Sequence, residues 1–269
     1  MDFGKIISLV YEARKIVFGV NYNAEHKNAN PYDFVTAVDT GISDFMKIEL
    51  KKAFPDVGFM TEEESEHSLS DKAFILDPID GTTNLVYNYN MSSISLAYVE
   101  GKEVKFGVVY NPFSEDMFFA KKGGGAHYFN ARNGIDELIK TGVENYLNPI
   151  KVSSRALNQS LIEFGAGSSR KGDAKKTFDL GKRVFEKCLD LRRICSTAIA
   201  ICYIASGKLD GYFERVIKPW DYAAGILILR EAGGISSDWD GNPLPLDEPG
   251  TIICSNGTNY DELKKIINE

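Results

Sequence analysis

The sequence predicts a mixed α/β protein, an antiparallel meander joined to a stretch of alternating strands and helices. Three observations carry this. Ile94, Leu96 and Tyr98 alternate with Ser93 and Ser95, Glu100-Gly101-Lys102 turns the chain, and Val104 to Tyr110 alternates again, the two-residue period of hairpin-linked strands. The second half interleaves short apolar runs with segments of helical spacing, as an α/β layer does. Ala198 to Ala205 is apolar on every side, the mark of a buried helix.

The elements follow in order. Ile6, Val10, Ala13 and Val17 fall at helical spacing and predict a first amphipathic helix within residues 3–20. A polar loop, His26 to Pro31, leads to Phe34-Val35-Thr36-Ala37-Val38-Asp39 and a helix over residues 40–54, stopped by Pro55. Asp39 at that helix start reads on its own as a cap. Gly58 to Thr61 is a short strand running into Glu62-Glu63-Glu64, and three adjacent glutamates are ordinarily a solvated loop. Ala73-Phe74-Ile75-Leu76 is a buried strand expected to end at Asp77. The meander continues through Met117-Phe118-Phe119. Lys121 to Gly125 is a hairpin bend, because it lacks the Gly-x-x-x-x-Gly-Lys-Ser/Thr spacing of a phosphate loop. Asn133 to Pro149 holds a helix-like Asp136-Glu137-Leu138-Ile139 and has no role that the sequence assigns. A domain break is expected near residue 150, giving an N-terminal α+β part (1–150) and a C-terminal α/β part (151–269).

Beyond that break come a strand at 161–164 and a helix marked by Phe178, Gly181, Phe185 and Cys188. The buried helix, a strand at 209–214 and a helix from Asp221 to Ala232 closed by Gly233-Gly234 follow. Strands at 235–238 and 251–254 and a last helix through Leu263 and Ile267 complete the chain.

Composition narrows the function. The 269 residues are 43% hydrophobic and 26% charged, enough for a full core, and 31 Lys and Arg against 38 Asp and Glu give a net charge of −7. That balance argues against nucleic acid or an anionic membrane as the main partner. No apolar run approaches the roughly 20 residues of a membrane span, and Asp2, Lys5, Glu12 and Arg14 interrupt any signal-peptide pattern. A cytoplasmic location is the expectation. The four cysteines, Cys188, Cys195, Cys202 and Cys254, form no Cys-x-x-Cys pair, so buried free thiols are expected rather than a zinc or redox motif.

One stretch carries chemistry: Asp77-Pro78-Ile79-Asp80-Gly81-Thr82-Thr83-Asn84. Pro78 fixes its own φ and pushes Asp77 toward an extended backbone, so that carboxylate is aimed rather than sampled. Asp80 follows three residues later, and Gly81 to Asn84 looks like the first turn of a helix. Two carboxylates on a stiff bend beside free helix N–H groups place a cation site next to an anion site. The combination suggests metal-assisted chemistry on a phosphate.

The same run resembles, without a gap, the Asp-Pro-Ile/Leu-Asp-Gly-Thr-Thr-Asn hallmark of the inositol monophosphatase family of magnesium-dependent, lithium-sensitive phosphatases. Asp33 to Asp39 resembles the family's Asp-x-Val-Thr-x-x-Asp segment. Pro219-Trp220-Asp221-Tyr222-Ala223-Ala224-Gly225, with Glu231-Ala232-Gly233-Gly234 after it, resembles the second family signature, 144 positions beyond Asp77. The family's upstream loop lysine falls on Asn28, with Lys27 beside it. The resemblance covers the chain apart from the stretch before Lys151. It implies a layered α-β-α-β-α sandwich of the sugar-phosphatase type, and a homodimer.

By that resemblance Asp77 bridges two metal ions, Glu62 and the Ile79 carbonyl complete one, and Asp80 with Asp221 complete the other. Glu63 would orient Glu62. This all-oxygen set suits two to three Mg²⁺ ions, or Mn²⁺, and not zinc. The Thr82 hydroxyl paired with Asp39, with Glu62 alongside, would orient and deprotonate a water. Gly81, Thr82 and Thr83 would hold the phosphate, while Ser168, Ser196, Glu214 and Asp221 would contact the rest of the substrate. In place of the family's Gly-Ser/Thr-Ala, this chain has Cys195-Ser196-Thr197.

The expected activity is that of a phosphoric monoester hydrolase on a small phosphate ester, myo-inositol 1-phosphate first, by two-metal activation of water. Fructose 1,6-bisphosphate or a broad range of sugar phosphates is the alternative. An aspartate-nucleophile phosphatase needs Asp-x-Asp-Gly-Thr, one residue shorter than the run here, and a cysteine phosphatase needs a Cys-x₅-Arg that is absent. A regulatory protein associated with RNA or the transcription machinery, as some bacterial relatives are, is the reading from a different class.

Overall fold

The computed structural model describes residues 1–19, 24–26, 34–64, 69–146, 148–167 and 171–269. The chain opens with α1 (Phe3–Gly19), a ribbon of β1 (Ala24–His26) and β2 (Phe34–Thr36), and α2 (Ala37–Ala53). Next come β3 (Gly58–Thr61), β4 (Lys72–Asp80), the short α3 (Thr82–Val86), β5 (Ser93–Glu100), β6 (Glu103–Asn111), β7 (Asp116–Lys121) and β8 (Ala126–Asn130). Their strands form a six-stranded sheet in sequential order, parallel only between β3 and β4. After α4 (Ile135–Thr141) the chain alternates through β9 (Leu161–Phe164), α5 (Ala174–Phe185), β10 (Asp190–Arg192), α6 (Thr197–Ala205), β11 (Gly211–Ile217) and α7 (Pro219–Glu231). It ends with β12 (Ile235–Ser237), β13 (Gly250–Ser255) and α8 (Tyr260–Asn268). The second sheet has the order β10-β9-β11-β13-β12.

Side-chain alternation along the strands sorts the apolar residues into three cores. On β4, Phe74 and Leu76 pack with Ile42 and Met46 of α2 and Val10 of α1, while Ile75 faces the other way, toward α6 and α7. On β11 and β13, Tyr212 and Cys254 share that middle core, and Phe213 and Ile253 face α5 and α8. The result is the α-β-α-β-α sandwich expected, with α6 and α7 between the sheets.

Three local expectations need revision. The second helix starts at Ala37, not residue 40: the Thr36 hydroxyl accepts the Val38 N–H at 3.1 Å, and Asp39 reaches back to the Thr36 N–H at 2.8 Å. Thr36 is therefore the cap and Asp39 the third helical residue, the reciprocal pairing of a capping box. The strand expected to stop at Asp77 runs on to Asp80. The helix α5 forms as predicted, but Phe178 and Phe185 are each 52% exposed, and Thr177, Leu180, Gly181 and Val184 face the core. The Phe164 ring sits 3.4 Å from where a Gly181 side chain would begin, an ordinary packing contact. The thiols are not all buried: Cys202 and Cys254 are, Cys188 is partly covered and Cys195 is exposed, and all four are free. The unassigned stretch after Asn133 has a structural job, since α4 buries Ile135 and Leu138 in the outer core beside α1.

Candidate active site

The extended β4 explains how two aspartates three positions apart share one cavity. In a regular strand an odd separation sends side chains to opposite faces. Here Asp77 lies opposite Ser95 and Asp80 opposite Ser93, so the β4 side has one residue too many. That bulge sits at Pro78-Ile79, where proline has no N–H to give the ladder. It restores parity, and both carboxylates line the same cleft. Because β3 runs parallel to β4 with Thr61 beside Leu76, Glu62 emerges next to them, its N–H bonded to the Leu76 carbonyl at 3.3 Å. Asp221 arrives from the first turn of α7, where it accepts the Lys218 N–H at 3.0 Å.

Glu62, Asp77, Ile79, Asp80, Thr82 and Asp221 share the wall of a cleft of about 300 Å³. Asp77 is 2% exposed, and its Oδ1 is buried with no hydrogen-bond partner among the described residues. Burial pushes its carboxyl well above the usual carboxylate range, and the charges of Glu62, Asp80, Asp221 and Asp39 push in the same direction. Asp221 is raised well above that range by burial, then by Glu62 and Asp80. Burial also lifts Asp80 to about 6, although its Oδ2 accepts the Ser196 hydroxyl at 2.5 Å and the Ala198 N–H at 2.8 Å, and its Oδ1 the Thr197 N–H at 3.1 Å. Four acidic side chains held this close are a standing cost that cations would relieve. Among the described residues no three carboxylate, imidazole or thiol side chains close tightly enough around one point to hold an ion alone. A hard cation that keeps several waters and takes a backbone carbonyl needs few side chains per ion.

Asp39 is 1% exposed and raised to about 6, chiefly by burial, with Thr36 pulling the other way. The Thr82 hydroxyl lies 3.1 Å from Asp39 Oδ1 and 3.1 Å from the Ile79 carbonyl, so it donates to one of the two. Gly81, at the start of α3, has φ +90°, and a side chain there would press on the Met91 and Cys195 carbonyls at 3.0 and 3.1 Å. Only glycine fits. Thr83 lines the cleft as well. On the far wall stand Glu214, whose carboxylate takes the Tyr212 hydroxyl, and Thr197, whose Oγ1 is 3.0 Å from the Tyr212 oxygen. Ser196 is buried with its hydroxyl committed to Asp80. Ser168, Asp33, Lys27 and Asn28 lie outside the described residues.

Three cleft residues were not singled out in the sequence. Glu163, 2% exposed, accepts the Ile194 and Cys195 N–H groups through Oε1 at 2.8 and 3.2 Å, and burial raises its carboxyl to about 8. A charge inside the apolar run Leu161-Ile162-Glu163-Phe164 was the available signal. Arg193 and Lys218 bring positive charge to the rim; Arg193 lies 5.3 Å over the Phe164 ring and Lys218 4.9 Å from the Trp220 ring. Neither has a carboxylate salt-bridge partner among the described residues. A larger groove of about 710 Å³ beside Phe3 and Phe54 offers no such chemistry, because its Lys72, Lys105 and Lys122 pair with Glu100 or Glu103.

A sandwich of this layering with an acidic cleft at a strand-to-helix corner fits the phosphatase class. The model of the inositol monophosphatase family matches residues 4–269. The chain belongs to that family, and so to the phosphoric monoester hydrolases. It is 32% identical over 267 residues to an inositol-1-monophosphatase of Rhizobium meliloti, covering 97% of this chain and 94% of that one. It is 34% identical over 270 residues to a fructose-1,6-bisphosphatase/inositol-1-monophosphatase of Thermotoga maritima, covering 100% and 96%. A Nus factor SuhB of Salmonella typhimurium is 32% identical over 255 residues, covering 94% and 86%. Among solved structures, the Thermotoga maritima IMPase superposes with a TM-score of 0.83 at 30% identity, covering 98% of this chain and 95% of that one. No helix among the described residues is long and apolar enough to cross a membrane.

Proposed function

We propose that this chain hydrolyses the phosphate monoester of a small polyol, myo-inositol 1-phosphate first, with Mg²⁺ held by Glu62, Asp77, the Ile79 carbonyl, Asp80 and Asp221. The observation that carries this is the buried, unpartnered Oδ1 of Asp77 in a cleft where burial, and after it neighbouring carboxylate charge, raise Asp77 and Asp221. Two to three such ions, or Mn²⁺, fit the oxygen donors. When bound they would neutralise the phosphoryl oxygens and make the attacking water more acidic.

The chain's own residues do the rest. The N–H groups of Gly81 and Thr82 hold the phosphoryl oxygens and set the line of attack. The Thr82 hydroxyl donates to Asp39 Oδ1, 3.1 Å away, which leaves its lone pair to accept a proton from the water. That water, also held by Glu62, attacks phosphorus opposite the polyol oxygen. Its proton passes to Thr82 Oγ1 as Thr82 gives its own to Asp39, whose carboxyl burial lifts to about 6 in the metal-free protein. The phosphorus–oxygen bond to the polyol breaks, and the leaving oxygen takes a proton from solvent. Glu214, with Tyr212 and Thr197 behind it, reads polyol hydroxyls.

A second substrate is favoured by one observation. Arg193 and Lys218 at the rim suit a second anionic group, as in fructose 1,6-bisphosphate. Turnover of myo-inositol 1-phosphate, fructose 1,6-bisphosphate and phosphoadenosine phosphate, each with Mg²⁺, with chelator and with added Li⁺, tests the proposal. Mg²⁺-dependent, Li⁺-inhibited turnover of the first is expected, and no phosphate release from any would defeat it. In Arg193→Ala, a tenfold loss on the bisphosphate with little change on the monophosphate marks the second anion site. A regulatory role like that named for the SuhB relatives would show as RNA or transcription-factor binding that survives Asp77→Asn. The expected homodimer is checked by light scattering.

A further inference from the structure

The turn at residues 194–198 joins the two sheets at the proposed cation site. Asn84, on α3, donates its Nδ2 to the Ile194 carbonyl at 2.8 Å, the Met91 carbonyl at 2.7 Å and the Cys195 carbonyl at 3.4 Å. From the opposite side Glu163, on β9, accepts the N–H groups of Ile194 and Cys195 through one oxygen. The two side chains thus hold the same two residues, one by their carbonyls and the other by their N–H groups, and share the 194–195 peptide. Between them Cys195 has φ +61°, a left-handed conformation that disfavours every residue with a side chain. The next three residues then deliver the Ser196 hydroxyl and the Thr197 and Ala198 N–H groups to Asp80.

We propose that Glu163 is a positioning residue for Asp80: it holds the strained 194–195 turn so that three hydrogen bonds fix the direction of the Asp80 carboxylate. The geometry assigns it no contact with substrate. Its other oxygen, Oε2, is buried without a hydrogen-bond partner among the described residues, so the hydrogen bonds this carboxylate makes there all go to the turn. Removing it takes the acceptor from the Ile194 and Cys195 N–H groups and releases Cys195 from its conformation. Asp80 then loses its fixed donors. The metal part of this inference rests on Asp80 as a cation ligand, as proposed above.

The test uses the full-length protein in two measurements. In Glu163→Ala, hydrogen exchange of the amides of 194–198 in metal-free protein should quicken at least tenfold, with exchange elsewhere unchanged. Calorimetric titration with Mg²⁺ should show an affinity reduced about tenfold or more, the usual cost of losing an outer support of a metal ligand. Glu163→Gln keeps an acceptor for both N–H groups and should stay within about threefold of wild type. Cys195→Gly, which adopts positive φ freely, should recover part of the loss when added to Glu163→Ala. Unchanged exchange at 194–198 in folded Glu163→Ala overturns the proposal, as does an affinity loss that neither Gln nor Cys195→Gly repairs. A wild-type protein that takes up no Mg²⁺ would instead sink the metal reading, and the exchange result would still decide whether Glu163 holds the turn.

Discussion

Replacing Asp80 by asparagine separates the charge of the cleft from its shape. Burial lifts this carboxyl from 3.8 to about 6; at about 1.4 kcal/mol per pKa unit, keeping it ionised at pH 7.5 costs the metal-free fold about 3 kcal/mol. Asparagine removes that term. Its amide NH₂, however, must face donors, because Oδ1 receives the Thr197 N–H and Oδ2 receives the Ser196 hydroxyl and the Ala198 N–H. At least one donor loses its acceptor, at about 1–3 kcal/mol. The two effects nearly cancel, so Asp80→Asn in chelator should melt close to wild type. Mg²⁺ separates them: at a hundred times its dissociation constant a bound ion stabilises by about 2.7 kcal/mol, about 5–11 °C in melting temperature for a chain of this size. Melting curves with and without Mg²⁺, followed by calorimetry, should show that rise in wild type and its loss in Asp80→Asn, with turnover down at least a hundredfold. An undiminished rise in the variant would refute the assignment of Asp80 and the electrostatic argument built on it.

Other perturbations reach other parts of the site. Asp39 and Asp80, raised to about 6 in the fold and near 3.8 when unfolded, bind more protons folded than unfolded, so metal-free stability rises as pH falls through 6. From pH 7.5 to 5.5 these two contribute about 1.5 kcal/mol, with Asp77, Asp221 and Glu163 acting in the same direction. The melting temperature in chelator should therefore climb on acidification and fall when Mg²⁺ is saturating; a flat profile in chelator contradicts the burial argument. Thr82→Ala should lower turnover by about a hundredfold or more, the scale of general acid–base help, while leaving the Mg²⁺-induced rise in melting temperature intact; its loss would make Thr82 a structural residue. Gly165→Ala puts a methyl group into the Glu214 carboxylate and the Tyr212 hydroxyl. It should raise KM for the polyol ester severalfold with Mg²⁺ affinity unchanged, and an unaltered KM would remove Glu214 from substrate recognition.

How much of this was legible in the sequence depends on the range of the signal. The run Asp77 to Asn84 is local, and its chemistry could be read without a fold. Periodicity was also enough to place most strands and helices. What it could not supply was phase. Phe178 and Phe185 marked the α5 helix by their spacing, yet they turn outward while Thr177, Leu180, Gly181 and Val184 face the core. The β4 strand outlasts Asp77 because a bulge at Pro78-Ile79 absorbs the missing ladder N–H, a device visible only against the partner strand. Asp39 is locally a helix-capping acid and at the same time the partner of Thr82, 43 positions away. Glu163 escaped notice because its partners, Ile194 and Cys195, are peptides, and a peptide has no signature in sequence.

The middle layer of the sandwich has a consequence for kinetics. Asp77 and Asp80 lie on one sheet, and the donors that aim Asp80 begin α6, which with α7 fills the space between both sheets. The cleft is therefore complete only where both sheets meet α6 and α7, and it closes last if that middle layer docks after the sheets have paired. Contacts formed so late scarcely alter the rate of folding and act on the reverse step. A divalent ion seated there would work as a latch, lengthening the lifetime of the native molecule while leaving the speed at which it is reached almost untouched.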